Sequence, residues 1–505
     1  MTRQDYLRIG LLAVIVGAVM AVLIKNPGYT DAYYYFNAAQ RLATGKGLTD
    51  AGVWTYIGLP ETATLPVPSH LYWMPLTSLV SALPMLIAPT FNAAQIVYVP
   101  LFAALVLIAM WLGQRIGKTR RAGWLAGLVM LFSGYFMPFW FTSDAFTLYG
   151  VVGAAALIGI GRGRESGSWR WYALSGVCIG LAHLTRNDGL LLLFVLWIVA
   201  LWPAHSLRSR IVGAGAGTLA YLLVMLPWFL RNLSVIRTIL PVGGLQTAWM
   251  REYNDLFNYP GVIDFQKFLA WGIPNILRSR FDAFFVNLQT AIAVESLIVL
   301  APFILIALWA RRRDPLLTGV WLYALGLHAV MTVVFPFSGA RGGLFHSAAA
   351  LMPFWAALGI AGLLDTIAWA AKRRRWPVRQ AQTVFGGAVI LWAAGFSVLG
   401  ALPKASQWNS AGDYYVGIGV SPSEVIMIND PAAYYYFTGG SAVVLPNVPA
   451  VNLATILNRF KVTTVVLDEN VPVPLEPLWR REDVPFFLEH RRKDDRFRVY
   501  RYRLD

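Results

Sequence analysis

The stretch LRIGLLAVIVGAVMAVLIKNPGYTDAYYYFNAAQRLATGKG, residues 7–47, contains both kinds of segment from which the chain is built. Residues 7–24 are apolar apart from Arg8, and a run of roughly 20 such residues is what a helix needs to cross a bilayer. From Pro27 to Gly47 the composition changes to aromatic and polar residues with one acid, Asp31. Thr30 can cap a helix that Gly45 ends, with the aromatics giving it an apolar side. Such a helix is expected to lie in the membrane interface. Asp31 falls in its first turn, where the helix dipole favours a carboxylate and is expected to keep its pKa low. A carboxylate placed there either stabilises the helix start or serves as proton acceptor for a hydroxyl.

Working outward, apolar runs of spanning length recur at 91–114, 122–141, 145–161, 170–185, 188–204, 211–231, 284–310, 315–336, 346–370 and 380–402, which with 7–24 makes eleven. The stretch 73–89 is broken by Pro75, Pro84 and Pro89 and reads as interfacial or re-entrant. With 57% hydrophobic against 13% charged residues among 505, the chain is a polytopic α-helical membrane protein and neither soluble nor disordered. The single cysteine, Cys178, excludes an internal disulfide and a cysteine-based zinc site.

Basic residues fall on alternate loops, as short cytoplasmic loops require. Arg3, Arg8, Arg115, Lys118, Arg120, Arg121, Arg162, Arg164, Arg170, Arg208, Arg210, Arg311 to Arg313, Lys372 to Arg375 and Arg379 share one side with Asp5, Glu165, Asp314 and Asp365. That balance of +15 nearly exhausts the +16 of the whole chain, so topology explains the basic charge and leaves nothing for a nucleic-acid partner. The parity puts the N-terminus in the cytoplasm and the segment after 402 outside the cytoplasmic membrane, with the first run retained as an uncleaved span. The expected division is a transmembrane domain 1–402, with outer loops 25–72 and 232–283, and a small extracytoplasmic α/β domain 403–505. In that domain Val425–Ile428, Ala442–Leu445, Thr463–Leu467 and Phe497–Tyr502 read as strands and Val451–Phe460 as a helix. Asn429-Asp430-Pro431 is a binding loop or a structural turn, and Arg491–Arg496 a solvated, self-compensating surface.

The polar residues at the outer ends of the spans are Ser143-Asp144, Arg186-Asn187-Asp188, Arg231-Asn232, and Arg341 through His346. Ionisable groups at membrane depth usually face a cavity or a partner, or else snorkel to the interface. Arg186 and Asp188 also read as a turn that neutralises itself. The aromatic and hydrogen-bonding loop 232–283 is either a sugar-stacking surface or a lid, and reads better as a lid.

Five stretches carry a family resemblance: Gly28-Tyr29-Thr30-Asp31-Ala32-Tyr33-Tyr34-Tyr35, Thr142-Ser143-Asp144-Ala145, Gly180-Leu181-Ala182-His183-Leu184-Thr185-Arg186-Asn187-Asp188-Gly189, Pro227-Trp228-Phe229-Leu230-Arg231-Asn232, and Arg341-Gly342-Gly343-Leu344-Phe345-His346-Ser347. In their order along roughly the first 350 residues the chain resembles the C-type (GT-C) membrane glycosyltransferases, in particular the protein O-mannosyltransferases and aminoarabinose transferases, which use polyprenyl-phosphate sugars. The resemblance implies that Asp31 is the catalytic base and Asp144 a second acidic residue. The acid that many members carry beside the first-loop aspartate is replaced here by Ala32 and Tyr33.

Such an enzyme would invert the anomeric carbon with one base. Arg186, Arg231 and Arg341, with His346, are the candidates for the donor phosphate. Asp144 and Asp188 would orient an arginine, bind sugar hydroxyls or hold a metal. No cofactor is required, although a divalent cation could take part, and the expected partners are a polyprenyl-phosphate-linked sugar donor, an acceptor glycan, lipid or protein, and the bilayer. Two other readings stay open, a transporter or flippase of a lipid-linked sugar and a ligase or polymerase of lipid-linked glycan.

Overall fold

The computed structural model describes residues 1–241 and 243–503; Val242, in the long loop, and Leu504 and Asp505 fall outside the description. Among the described residues seven helices are long and apolar enough to cross a membrane: Arg3–Leu23, Phe91–Gly117, Ala145–Ser166, Leu207–Ile236, Pro315–Val334, Pro336–Arg374 and Val378–Gly417. An eighth candidate is the pair Arg120–Leu131 and Gly134–Phe141, bent by 65°. At the bend Gly134 takes φ +62°, and a side chain there would run into Leu297 and Phe396.

The expectation of eleven spans meets a more broken bundle. Run 170–185 is the helix Trp169–Thr185, of 17 residues, and run 188–204 is a 3-10 turn followed by Leu191–Leu201. Run 284–310 is interrupted: the helix Ile273–Thr290 passes into a π-helical turn, Leu297 and Ile298 take φ 52° and 66°, and a helix resumes at Ala301–Ala310 with Pro302 in its first turn. An apolar run does not report a break inside it, because the residues on both sides of a kink are equally greasy. The stretch 73–89 forms the helix Leu76–Met85, about 15 Å long and too short to span.

All four acids assigned to the basic side meet its arginines there. Arg120 binds Asp5 at 2.5 Å, Arg115 and Arg162 bind Glu165 at 2.7 and 2.9 Å, Arg115 approaches Asp314 at 3.6 Å, and Arg311 binds Asp365 at 2.9 Å. The loops grouped by charge therefore share one end of the bundle.

The sheet lies at the opposite end from these pairs. Two short strands, β1 (Thr49–Asp50) and β2 (Gly52–Val53), come from the first loop, as does β3 (Val67–Pro68). The C-terminal part supplies β4 (Val425–Ile428), β5 (Ala442–Val444), β6 (Val462–Asp468), β7 (Leu488–Lys493) and β8 (Phe497–Tyr502). β1 pairs with β3, and the six-stranded sheet runs β2-β5-β4-β6-β8-β7, parallel from β2 to β6 and antiparallel beyond. The four strands read from the sequence are all present, and Leu453–Phe460 forms most of the expected helix. Not foreseen were β7 and the contribution of β2, which is two residues long and has no alternation to betray it. The charges at the β7–β8 turn compensate one another as expected, Arg492 and Arg496 both lying within 4 Å of Asp494 (3.6 and 3.7 Å).

The helix Thr30–Ala43 does form, and Gly45 follows it at φ +79°. Two expectations for it are corrected. Thr30 does not cap it, because the capping position is Tyr29, whose side chain makes no bond to the helix's own amides; instead the Thr30 hydroxyl donates to Asp430 Oδ2 at 2.7 Å. Nor does the helix lie with one face in lipid, because Tyr33, Tyr34, Tyr35 and Phe36 point successively around it and all are buried, which needs cover on every side. The helix Pro431–Thr438 supplies part of it: the Asn37 amide donates to the Ala432 carbonyl at 2.8 Å, and the Tyr33 and Tyr436 rings meet at 5.1 Å. Asn429-Asp430-Pro431 is thus a structural turn, with Asp430 accepting from the Ala433 amide at 3.0 Å as it caps that helix.

Asp430 therefore serves one helix as a cap and the other as an anchor. Asp430→Ala should lower the stability of the purified protein by about 1–3 kcal/mol, read from thermal unfolding in detergent. An unchanged transition would show that the sheet is held without this residue.

Candidate active site

Asp31, Asp144 and His346 come together from the first loop, the start of the helix Ala145–Ser166 and the helix Leu344–Ala348. Asp144 is 1% exposed. It caps its helix through the Ala145 amide at 2.5 Å, accepts from the Tyr29 hydroxyl at 2.6 Å, and faces His346 Nε2 at 2.9 Å. Burial alone would raise its pKa; the facing imidazole and the two donors overcome that and hold it below the usual carboxylate range.

Asp31 stands 3.8 Å from His346 Nε2 with its side chain 28% exposed. The dipole argument fails for it. Withdrawal from solvent and the neighbouring Asp144 carboxylate push Asp31 up to about 6, against the pull of His346, Arg186 and the Trp73 indole. The first-turn dipole is worth a fraction of a kcal/mol to about 2 kcal/mol, less than burial beside a second carboxylate.

His346 is stacked on Phe146, ring centroids 4.0 Å apart, and its Nδ1 lies 2.8 Å from the Gly342 carbonyl. Both ring nitrogens therefore face acceptors. A neutral imidazole donates from only one nitrogen, so the ring is satisfied as a cation or by a metal ion at Nε2. One ligand atom from each of the three side chains lies within 4.8 Å of the others. With a backbone carbonyl fixing the far side of the histidine, this nitrogen-and-two-carboxylate set fits a divalent cation.

The arginines divide. Arg186 Nε reaches Asp188 Oδ1 at 3.1 Å and the Ser347 hydroxyl at 3.0 Å, and Ser347 also bonds Asp188. Arg186 and Asp188 neutralise each other as their spacing suggested, yet Arg186 is close enough to pull on the ionisation of Asp31. Arg341 sits where the backbone kinks beside Gly342 (φ +120°), its guanidinium 4.8 Å over the Tyr253 ring of the long loop. Arg231 turns to another neighbourhood, bonding the Ser69 carbonyl at 2.7 Å and lying 4.7 Å over Trp228. The long loop reaches the sheet as well, where the Asn447 amide donates to the Phe257 carbonyl at 2.9 Å. Sequence reasoning missed Tyr29, Trp73 and Ser347 as supports of the site. Tyr29 and Ser347 lie inside the motifs that carry the resemblance, but nothing local marks a hydroxyl as the partner of a carboxylate 115 residues away.

No protein-family model matches the chain, and no curated protein matches it significantly. Solved structures do. ArnT from Cupriavidus metallidurans bound to undecaprenyl phosphate superposes with a TM-score of 0.57 at 13% identity, over 99% of this chain and 98% of that one. The fold is that of the C-type glycosyltransferases. Archaeal oligosaccharyltransferase AglB from Archaeoglobus fulgidus, in complex with an inhibitory peptide and a dolichol-phosphate, shares this C-type fold at a TM-score of 0.52 and 12% identity, over 96% of this chain and 72% of that one. The Archaeoglobus fulgidus oligosaccharyltransferase in complex with Zn and sulfate gives 0.54 and 11%, over 91% and 68%.

An ionisation near pH 6 belonging to Asp31 should appear in difference infrared titration of the carboxyl bands, the group being protonated below that pH and charged above it. Asp31→Asn should remove it. Arg186→Gln should move it upward, since the guanidinium favours the charged form; a downward move would contradict the assignment.

Proposed function

We propose that the chain is an inverting glycosyltransferase that moves a sugar from a polyprenyl-phosphate donor to an acceptor hydroxyl at the sheet end of the bundle, which is the extracytoplasmic face of the cytoplasmic membrane. The supporting observation is the convergence of a carboxylate with a raised pKa, Asp31, with His346, Asp144 and Arg186 in a protein of C-type fold. Two neighbours of that fold were solved with undecaprenyl phosphate and with a dolichol-phosphate.

In this reading Asp31 accepts the acceptor hydroxyl's proton while that oxygen forms its bond to the anomeric carbon. The bond from the anomeric carbon to the phosphate oxygen breaks, and the electron pair leaves with the polyprenyl phosphate. Arg186 and Arg341 receive the charge that builds on that phosphate. Asp188 and Ser347 orient Arg186, and Asp144 with Tyr29 orients His346. Arg231, held by Ser69 and Trp228, shapes the wall beyond. A divalent cation held by Asp31, Asp144 and His346 would supply further positive charge to the leaving group. The Tyr253 segment of the long loop, lying over Arg341, acts as a cover.

One observation favours a transporter instead. Glu295, 3% exposed, lies 3.2 Å from His328 and accepts from the Trp355 indole at 2.8 Å, inside the bundle, where ionisable groups often mark a path. The pair is closed off by that tryptophan and by the Ala324 carbonyl on His328 Nδ1, which suits a tie between helices.

Asp31→Asn in purified membranes given defined lipid donors should lose about 10²–10⁴-fold in transfer, the range for a general base, while still retaining the donor. Arg186→Ala should weaken donor retention, and chelation should lower transfer in the wild type. Undiminished transfer by Asp31→Asn would end this reading. Loss of lipid movement in Glu295→Gln, with Asp31→Asn unaffected, would support the transporter.

A further inference from the structure

The helix that presents Asp31 also lines a second polar space that the proposed reaction does not use. At about 1.5 Å per residue, Asn37 and Arg41 lie about 9 and 15 Å along it from Asp31. With Tyr34, Asp50, Trp54 and Tyr435 they surround a half-open cavity of about 30 Å³ between the first loop and the helix Pro431–Thr438. That volume admits about two water-sized groups. None of its lining comes from the segments that carry Arg186 and His346.

Its chemistry is specific. Asn37 is 7% exposed; its amide nitrogen is spent on the Ala432 carbonyl, and its Oδ1 has no hydrogen-bond partner among the described residues. A buried acceptor left unpaired costs on the order of 1–3 kcal/mol, so a donor is wanted there. Asp50 Oδ2 accepts from the Tyr34 hydroxyl at 2.9 Å, the only hydrogen bond its carboxylate makes among the described residues. Arg41, 8% exposed, is engaged by Thr49 and the Tyr435 hydroxyl, through bonds of 2.7 to 3.3 Å. An anion would find this guanidinium occupied and meet Asp50, while an ammonium would be repelled by Arg41. What fits is a neutral group with two adjacent donors and an apolar face. Trp54 supplies the plate, and its ring lies 4.3 Å from that of Trp73, which in turn acts on Asp31. Burial also pushes Asp50 up to about 7, against Tyr34, Arg41 and Arg231.

We propose that this cavity is a subsite for a pair of adjacent hydroxyls on a glycosyl unit of the acceptor, gripped by Asn37 Oδ1 and Asp50 with the ring laid on Trp54. It rests on the glycosyltransferase reading for the word acceptor, and on the cavity itself for the sugar. The acceptor is then a glycan or glycosylated molecule that approaches from the aqueous side and extends one or two sugar lengths beyond the reacting hydroxyl.

Saturation-transfer NMR on the full-length protein in detergent tests this with methyl α-mannopyranoside as probe and its fully methylated form, which has no hydroxyls, as control. The free glycoside should receive saturation and the methylated one should not. Asp50→Asn should weaken binding about tenfold, the effect of leaving one polar group unpaired, and Trp54→Ala should do the same with the carboxylate in place. Asp31→Asn should bind the probe as the wild type does. No transfer to the free glycoside, or binding by Asp50→Asn and Trp54→Ala that equals the wild type's, overturns the subsite and leaves the role of Asp31 standing. Transfer activity insensitive to Asp31, with probe binding still lost in Asp50→Asn, overturns the glycosyltransferase reading alone.

Discussion

Asp144 is a carboxylate almost wholly removed from water, and the surrounding architecture compensates for that removal. An isolated buried charge costs several kcal/mol. Here the cost is offset by the amide at a helix start, a tyrosine hydroxyl from the first loop and an imidazole just past the kink at Gly342. These donors come from residues 29, 145 and 346, so satisfying one charge fixes three distant parts of the chain relative to one another. Burial is the larger cause that lifts the pKa of Asp31, and the Asp144 charge held in this arrangement adds to it.

The sheet takes part in building the site. Thr30 and Asn37 on one side, and Asp430 and Ala432 on the other, tie the first-loop helix to the C-terminal part. Gly28, at φ +107°, packs so closely under Trp408 that no side chain fits there, which pins the helix entry to the end of Val378–Ser410. β2, from the first loop, extends the sheet itself. Interlocked in this way, the base-bearing helix is buried from Ala32 through Ala39, a form of preorganisation that restricts the motion of the carboxylate.

Much of this was legible in the residues. The charge alternation placed Asp5, Glu165, Asp314 and Asp365 with the arginines they do meet, because loop charge depends only on position along the chain. The strands at 425–428, 442–444, 462–468 and 497–502 announced themselves by β-branched and aromatic composition. The break at Leu297 and Ile298 was invisible, since a kink in an apolar run leaves the hydropathy unchanged. The direction of the Asp31 shift was misjudged for a related reason: a dipole is local to its helix, whereas burial and the Asp144 charge arrive from elsewhere in the chain.

What the sequence determined by itself is the class of molecule, the grouping of loops by side, and the residues able to do acid–base and phosphate chemistry, because hydropathy, charge and functional groups are properties of residues in order. Which of those residues face one another only the tertiary structure decided. It set Arg186 near Asp31 and turned Arg231 away, it gave His346 an acceptor on each nitrogen, and it left Asn37 with an unpaired oxygen. Hydrogen bonds and ion pairs act over a few ångströms, and separations that small between residues hundreds of positions apart exist only once the chain has packed.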